Sequence, residues 1–122
     1  MLETRRLNSK DKVIITASLT GAVTTKKDNP NLPTQPEEIC ESALRCYEAG
    51  AAVVHIHVRD EQDNASMRFD IFEKTVGLIK KTGCPVLLNL TSSGGQGFSW
   101  EERIKPFQVL KPELASFDAG TM

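Results

Sequence analysis

A chain of 122 residues with 15 Lys and Arg against 16 Asp and Glu has room for one domain and a formal net charge of −1. Arg5-Arg6 and Lys26-Lys27 are isolated pairs, so no basic tract suits nucleic acid. The apolar runs Ala51–Ile56 and Val86–Leu88 fall far short of the roughly 20 residues of a membrane span, and the first residues lack the apolar core of an export signal.

The three cysteines, Cys40, Cys46 and Cys84, form no CxxC pair, which fits packing thiols in a reducing cytoplasm. Val13–Leu19 is β-branched and apolar and predicts a buried strand ending at Thr20-Gly21. Asn29-Pro30-Asn31 and Pro33 mark Thr24–Thr34 as a loop. Thr34 and Glu37 have the spacing of a capping box, opening a helix with Ile39, Ala43 and Cys46 on one face that stops near Gly50. A second strand is expected over Ala51–Val58. Phe69, Phe72, Val76 and Ile79 recur at helical spacing, as a core stripe, up to Thr82-Gly83. Val86–Leu90 predicts a third strand, running into the polar turn Thr91-Ser92-Ser93-Gly94-Gly95. Ser99 and Glu102 form another capping box, and the short helix behind them is expected to break around Pro106. Leu114–Phe117 closes the series as a short fourth strand ending at Asp118.

Strands alternating with helices, each strand a near-continuous apolar run, predict an α/β fold with a covered parallel sheet. Either an open doubly wound sheet or a (β/α)8 barrel satisfies this pattern. No GxGxxG follows the first strand, which disfavours a dinucleotide site. Polar residues gather instead at strand C-termini, where barrel enzymes build their sites. A complete barrel typically takes about 250 residues, so only its first four strands and their helices fit here.

The sharpest chemical feature is His55-Ile56-His57. Period-two alternation places His55, His57 and Arg59 on one strand face with Val53, and Val54, Ile56 and Val58 on the other. Two neutral imidazoles so spaced can chelate one zinc and leave positions for a further ligand and a substrate oxygen. Carboxylate-paired interior histidines, or an anion site shared with Arg59, satisfy the same spacing. Arg59-Asp60 reads equally as a local ion pair that orients the histidine strand or as a direct substrate contact. Thr91, Ser92, Ser93 and Gly94 offer hydroxyls and backbone N–H groups able to hold a carboxylate, or form an ordinary Ser/Gly loop. Ser116 and Asp118 share a face of the last strand, for substrate or as caps.

Five segments, in order, resemble the beta-keto acid cleavage enzyme family. They are Ile15–Ala22, Asn29–Pro33 before a Pro-Glu-Glu helix start, Glu48–Arg59 with its HxH, Asn89–Gly95, and Leu110–Thr121. The resemblance covers nearly the whole chain. It implies a (β/α)8 barrel, incomplete here, of which residues 1–122 are the N-terminal half of one domain. It also implies a homo-oligomer, while composition and hydropathy argue against a membrane or nucleic-acid partner. The family condenses a small β-keto acid with acetyl-CoA as co-substrate, giving acetoacetate and a new acyl-CoA. His55 and His57 match its zinc ligands, where the metal acts as a Lewis acid on the substrate oxygens. One or more of Thr91, Ser92 and Ser93 match its substrate-binding turn, in a segment one residue longer here, and Ser116 matches a further hydroxyl.

Two departures modify that expectation. Val23 stands where the relative acting on an amino-bearing keto acid has a glutamate, and an apolar side chain cannot offset an ammonium, so a neutral or apolar β-keto acid is expected. The family's third zinc ligand, its catalytic aspartate and its activating arginine belong to later strands, so the remaining catalytic residues are expected beyond Met122. The chain alone is therefore expected to be inactive, poorly stable, or dependent on pairing with another copy. Two further readings stay open: a zinc hydrolase on a barrel, disfavoured because such enzymes often carry HxH on the first strand, and a non-catalytic half-barrel module.

Overall fold

A computed structural model of the protein describes residues 12–117. Four strands, β1 (Thr16–Ser18), β2 (Val53–Ile56), β5 (Leu87–Leu90) and β6 (Leu114–Ala115), form one parallel sheet in that spatial order. Between them run the helices α1 (Pro36–Glu48), α2 (Phe69–Lys81) and α3 (Trp100–Leu110). A separate two-stranded hairpin, β3 (Val58–Arg59) with β4 (Ala65–Ser66), sits at the exit of β2.

Each parallel strand neighbours the next one in sequence, without the reversal of order that a doubly wound sheet has at its switch point. The sheet also has one covered face. Val54, Ile56, Leu88 and Leu90 are buried to 2% exposure or less, and α1 packs on α2 and α2 on α3. On the opposite face Leu87 and Leu114 are each 42% exposed. Sequential order with helices on one side is the wall of a (β/α)8 barrel, seen over four of its units. The fold expected from the alternating elements is the fold observed, and an open doubly wound sheet is set aside.

Several boundaries differ from expectation. Pairing of β1 starts late: Ile15 O accepts from Ala52 N and Val53 N, whereas Val13 and Ile14 precede the strand and are 64% and 77% exposed. The anticipated buried strand is thus a short one with an exposed lead-in. The first capping box lies one residue later than expected, with Gln35 at the cap and Glu38, not Glu37, reaching back. The Glu38 carboxylate accepts from Thr34 N at 2.8 Å and Gln35 N at 3.0 Å. Pro36 explains the offset, because proline suits the first helical position and forces the residue before it to stay extended.

The second strand ends at Ile56, not Val58, since Val58 and Arg59 turn away to pair with Ser66 and Ala65. The turn between them is closed by Asp60, whose carboxylate accepts from Gln62 N, Asn64 N and Asn64 Nδ2. The last helix runs through Pro106 rather than breaking there. Its ends are fixed independently of that residue. Ser99 and Glu102 complete a reciprocal cap, at 3.2 and 2.8 Å, and Lys111 in a left-handed conformation donates to Phe107 O. Pro106 is buried, so packing offsets the missing backbone bond.

Candidate active site

The sheet register assembles the site row by row. Ser18 pairs with His55, His55 with Asn89, and Asn89 with Leu114, so these four residues stand across the uncovered face near its C-terminal edge. His55 and His57 lie side by side, with ring centroids 5.0 Å apart and planes at 74°. Both rings are half-buried.

His55 Nδ1 is 3.1 Å from Asn89 Oδ1. An amide oxygen only accepts, so the ring nitrogen must donate, and the tautomer with hydrogen on Nδ1 is selected. That leaves the Nε2 lone pair for a ligand, the arrangement that metal-binding histidines show when their other nitrogen is hydrogen-bonded. Asn89 is a partner that the sequence reading missed. Its signal was available, because an amide inside the run Leu87-Leu88-Asn89-Leu90 is a depleted residue type in a strand.

The donor chemistry suits a borderline-soft cation, but two imidazoles are only part of a ligand set. Among the described residues no group of three or more His, Cys, Asp or Glu is placed to hold a metal ion. His55 and His57 therefore fit zinc as the incomplete site that the sequence implied, with further ligands needed from elsewhere.

The polar turn after β5 is ordered by its own hydroxyls. Thr91, 1% exposed, accepts through Oγ1 from Ser93 N at 3.0 Å and donates to Ser93 O at 3.1 Å. Ser92 Oγ donates to Ser116 O at 2.8 Å, and Ser92 N donates to Ser116 Oγ at 3.3 Å. The structure thus brings Ser116 onto the turn, a contact that strand alternation did not predict. Gly94 is buried beneath it, and a side chain there would come within 2.6 Å of Met67 Sδ. Arg103 secures the far side of the turn, donating to Gly95 O at 2.8 Å, Ser92 O at 3.2 Å and Phe98 O at 3.2 Å. Asp118 and Met122 lie outside the described residues.

Arg59 corrects one of its two readings. It makes no ion pair with Asp60, whose carboxylate is taken up by the hairpin turn and held below its ordinary range chiefly by hydrogen bonding to Asn64. The guanidinium, 2% exposed, donates instead to the carbonyls of Gly21 (3.0 Å), Thr24 (2.8 Å) and Asp63 (2.8 Å). Val23, between two of those carbonyls, is 89% exposed. Two surface cavities, one lined by Asn31, Glu38 and Arg45 and the other by Gln35, Arg59 and Lys74, are lined by neither histidine.

Comparison with known proteins places this geometry. The beta-keto acid cleavage enzyme model matches residues 12–122. The chain is 44% identical over 112 residues to the 3-keto-5-aminohexanoate cleavage enzyme of Acetoanaerobium sticklandii, covering 91% of this chain and 40% of that one. It is 37% identical over 115 residues to the 3,5-dioxohexanoate:acetyl-CoA acetone transferase of Paraburkholderia graminis, covering 93% and 37%. A further 3-keto-5-aminohexanoate cleavage enzyme, from Fusobacterium nucleatum, is 36% identical over 91% of this chain and 40% of its own. The chain spans between 37% and 40% of the length of these curated relatives. With a match over nearly all of its own length, the chain belongs to the beta-keto acid cleavage enzyme family.

Proposed function

We propose that this chain supplies the first half of the active site of a β-keto acid cleavage enzyme. The reaction joins a β-keto acid to acetyl-CoA and yields acetoacetate and a new acyl-CoA. The observation that carries the reading is the His55–His57 pair on the open face, with His55 oriented by Asn89 so that its Nε2 is available. Family membership makes these histidines the natural holders of a zinc ion, which would supply Lewis-acid stabilisation of negative charge on the substrate oxygens.

The chain's own residues then have separate tasks. His55 and His57 would hold the cation. Ser92 and Ser116, already hydrogen-bonded to each other, shape a hydroxyl-lined rim beside it. The amides of Thr91, Ser92 and Ser93 are already taken up within the protein, so the substrate carboxylate falls to hydroxyls and to the amides of Gly94 and Gly95. Exposed Val23 faces the substrate without a charge, so a neutral or apolar side chain on the keto acid is selected over a cationic one. The remaining ligands and the groups that move protons come from the other strands of a complete barrel domain. Cytoplasmic residence and homo-oligomeric assembly belong to the same reading, and the three free cysteines support the first of them.

The test is metal content and acetyl-CoA-dependent cleavage, measured on protein of the relatives' length beside a His55→Ala/His57→Ala variant. About one zinc per chain is expected in the parent, with metal and cleavage both lost in the variant. Protein that folds without metal yet keeps cleaving would sink the zinc assignment. Metal-bound protein that hydrolyses esters or amides and ignores acetyl-CoA would favour a barrel hydrolase.

A further inference from the structure

We propose that Arg59 is a positioning residue that fixes the loop after β1 to the histidine strand and so sets where Val23 stands beside the substrate. The substrate side of this inference rests on the β-keto acid reading above. The clamp itself rests on geometry alone.

Arg59 is a buried cation whose guanidinium bonds are to backbone. Among the described residues its charge faces no carboxylate in an ion pair. Each of its three nitrogens donates to a carbonyl, and the carbonyls belong to two separate loops. Gly21 O and Thr24 O lie in the loop leaving β1, and Asp63 O lies in the turn of the β3–β4 hairpin. Removing a cation from water is costly, and it is tolerated where a rigid fork of donors is saturated. An arrangement of this kind ties backbone to backbone rather than neutralising a charge.

The far end of the loop is held by Lys26 Nζ on the Glu38 carboxylate at 2.6 Å and by the Thr25–Asp28 turn, and Arg59 holds the part nearer β1. Gly21, at φ +70°, turns the chain out of β1 in a conformation that other residues adopt at a cost. Thr20 Oγ1 is bonded to Pro33 O just before that turn. Val23 is 89% exposed, so its own side chain anchors nothing. The two clamped carbonyls flank it, and the clamping residue follows His57 by two positions. Arg59 therefore references Val23 to the histidine pair through a single side chain. A lysine presents one ammonium centre and cannot span three carbonyls arranged for a planar fork.

Amide hydrogen exchange on Arg59→Lys and Arg59→Gln, in protein of the relatives' length, reads the clamp without reference to activity. Exchange across residues 21–28 is expected to quicken by roughly tenfold or more while β2 and β5 stay protected. The same variants are then assayed with one apolar and one amino-bearing β-keto acid. The expected signature is a change in their relative kcat/KM of about fivefold carried by KM, with zinc content unchanged. Unaltered loop exchange in a folded variant overturns the proposal. So does a collapse of kcat at constant KM, which would place Arg59 on the reacting groups. If both variants lose protection in β2 and β5, Arg59 serves the fold at large and the proposal falls. Parent protein that cleaves no β-keto acid would fail the functional reading, and the exchange result would still decide the clamp.

Discussion

At the scale of single residues, the decisive feature is the bond from His55 Nδ1 to Asn89 Oδ1 at 3.1 Å. It fixes the tautomer and the ring plane before any ligand arrives. Replacing Asn89 with leucine keeps the branched outline of the side chain but removes the acceptor, so the imidazole loses its orientation and one tautomer is no longer preferred. Loss of such a partner commonly weakens metal binding by about 10- to 100-fold. Asn89→Leu is expected to show that loss in competition with a chelator, while Asn89→Asp, which still accepts, keeps or tightens binding. Nitrogen NMR of the metal-free imidazole supplies an independent readout, because the leucine variant should populate both tautomers. Unchanged affinity in Asn89→Leu would remove Asn89 from the site. The histidines themselves were legible as an HxH in an apolar strand. Arg59 was legible as a rim residue only, because alternation says which face a side chain leaves from and nothing about how far a long side chain reaches.

Among the elements, α1 shows most clearly what sequence patterns settle and where they slip. The capping box read at Thr34 and Glu37 forms one residue later, at Gln35 and Glu38, and Pro36 sets the shift. Glu38 consequently collects Lys26 Nζ at 2.6 Å with the amides of Thr34 and Gln35. Chiefly through the Lys26 hydrogen bond, its pKa falls from 4.5 to about 2. A carboxylate stabilised in the folded state contributes stability above its unfolded pKa and loses it as pH falls through the folded value. Glu38→Gln is therefore expected to cost about 1 kcal/mol near neutral pH, the usual worth of a cap, with the exposed lysine pair adding little. The gap between the two proteins closes as pH drops from 4.5 toward 2. Urea titrations across that interval measure it, and a pH-independent gap would mean the carboxylate charge is not what holds the helix start.

The other elements divide along similar lines. Strand and helix existence followed from apolar periodicity, because burial under the helices demands it at Val54, Ile56, Leu88 and Leu90. The β3–β4 hairpin escaped, since two-residue strands carry no period. Its one signal was local: Asp60 and Asn64 flank a turn of the kind that side-chain oxygens close. Continuation of α3 through Pro106 was equally illegible, because the residue's burial in the folded chain is not written in its local sequence.

For the molecule as a whole, the covered and uncovered faces of the sheet set the energetics. One face carries the core, and the other presents Leu87 and Leu114 at 42% exposure beside the histidine pair. Val13, Ile14 and Ile15 add further exposed apolar surface ahead of β1, and among the described residues β1 and β6 each have a neighbour on one side only, which leaves backbone unpaired at the sheet edges. Apolar surface of this kind drives association when nothing covers it. The 122-residue chain studied by itself is therefore expected to self-associate with rising concentration and to bind a hydrophobic dye. Leu87→Glu with Leu114→Glu should suppress both effects, because both side chains stand on the open face and neither belongs to the core under the helices. In protein of the relatives' length the sign reverses. There the same positions would be enclosed by the rest of the barrel wall, and burying a carboxylate in place of each leucine would destabilise by several kcal/mol. Sedimentation of the short chain and urea unfolding of the long one make the comparison. A short chain that stays monomeric and dye-free, paired with a long chain indifferent to both substitutions, would show that this face is not the barrel interior. The histidine pair would then have to be reassigned to an outer surface.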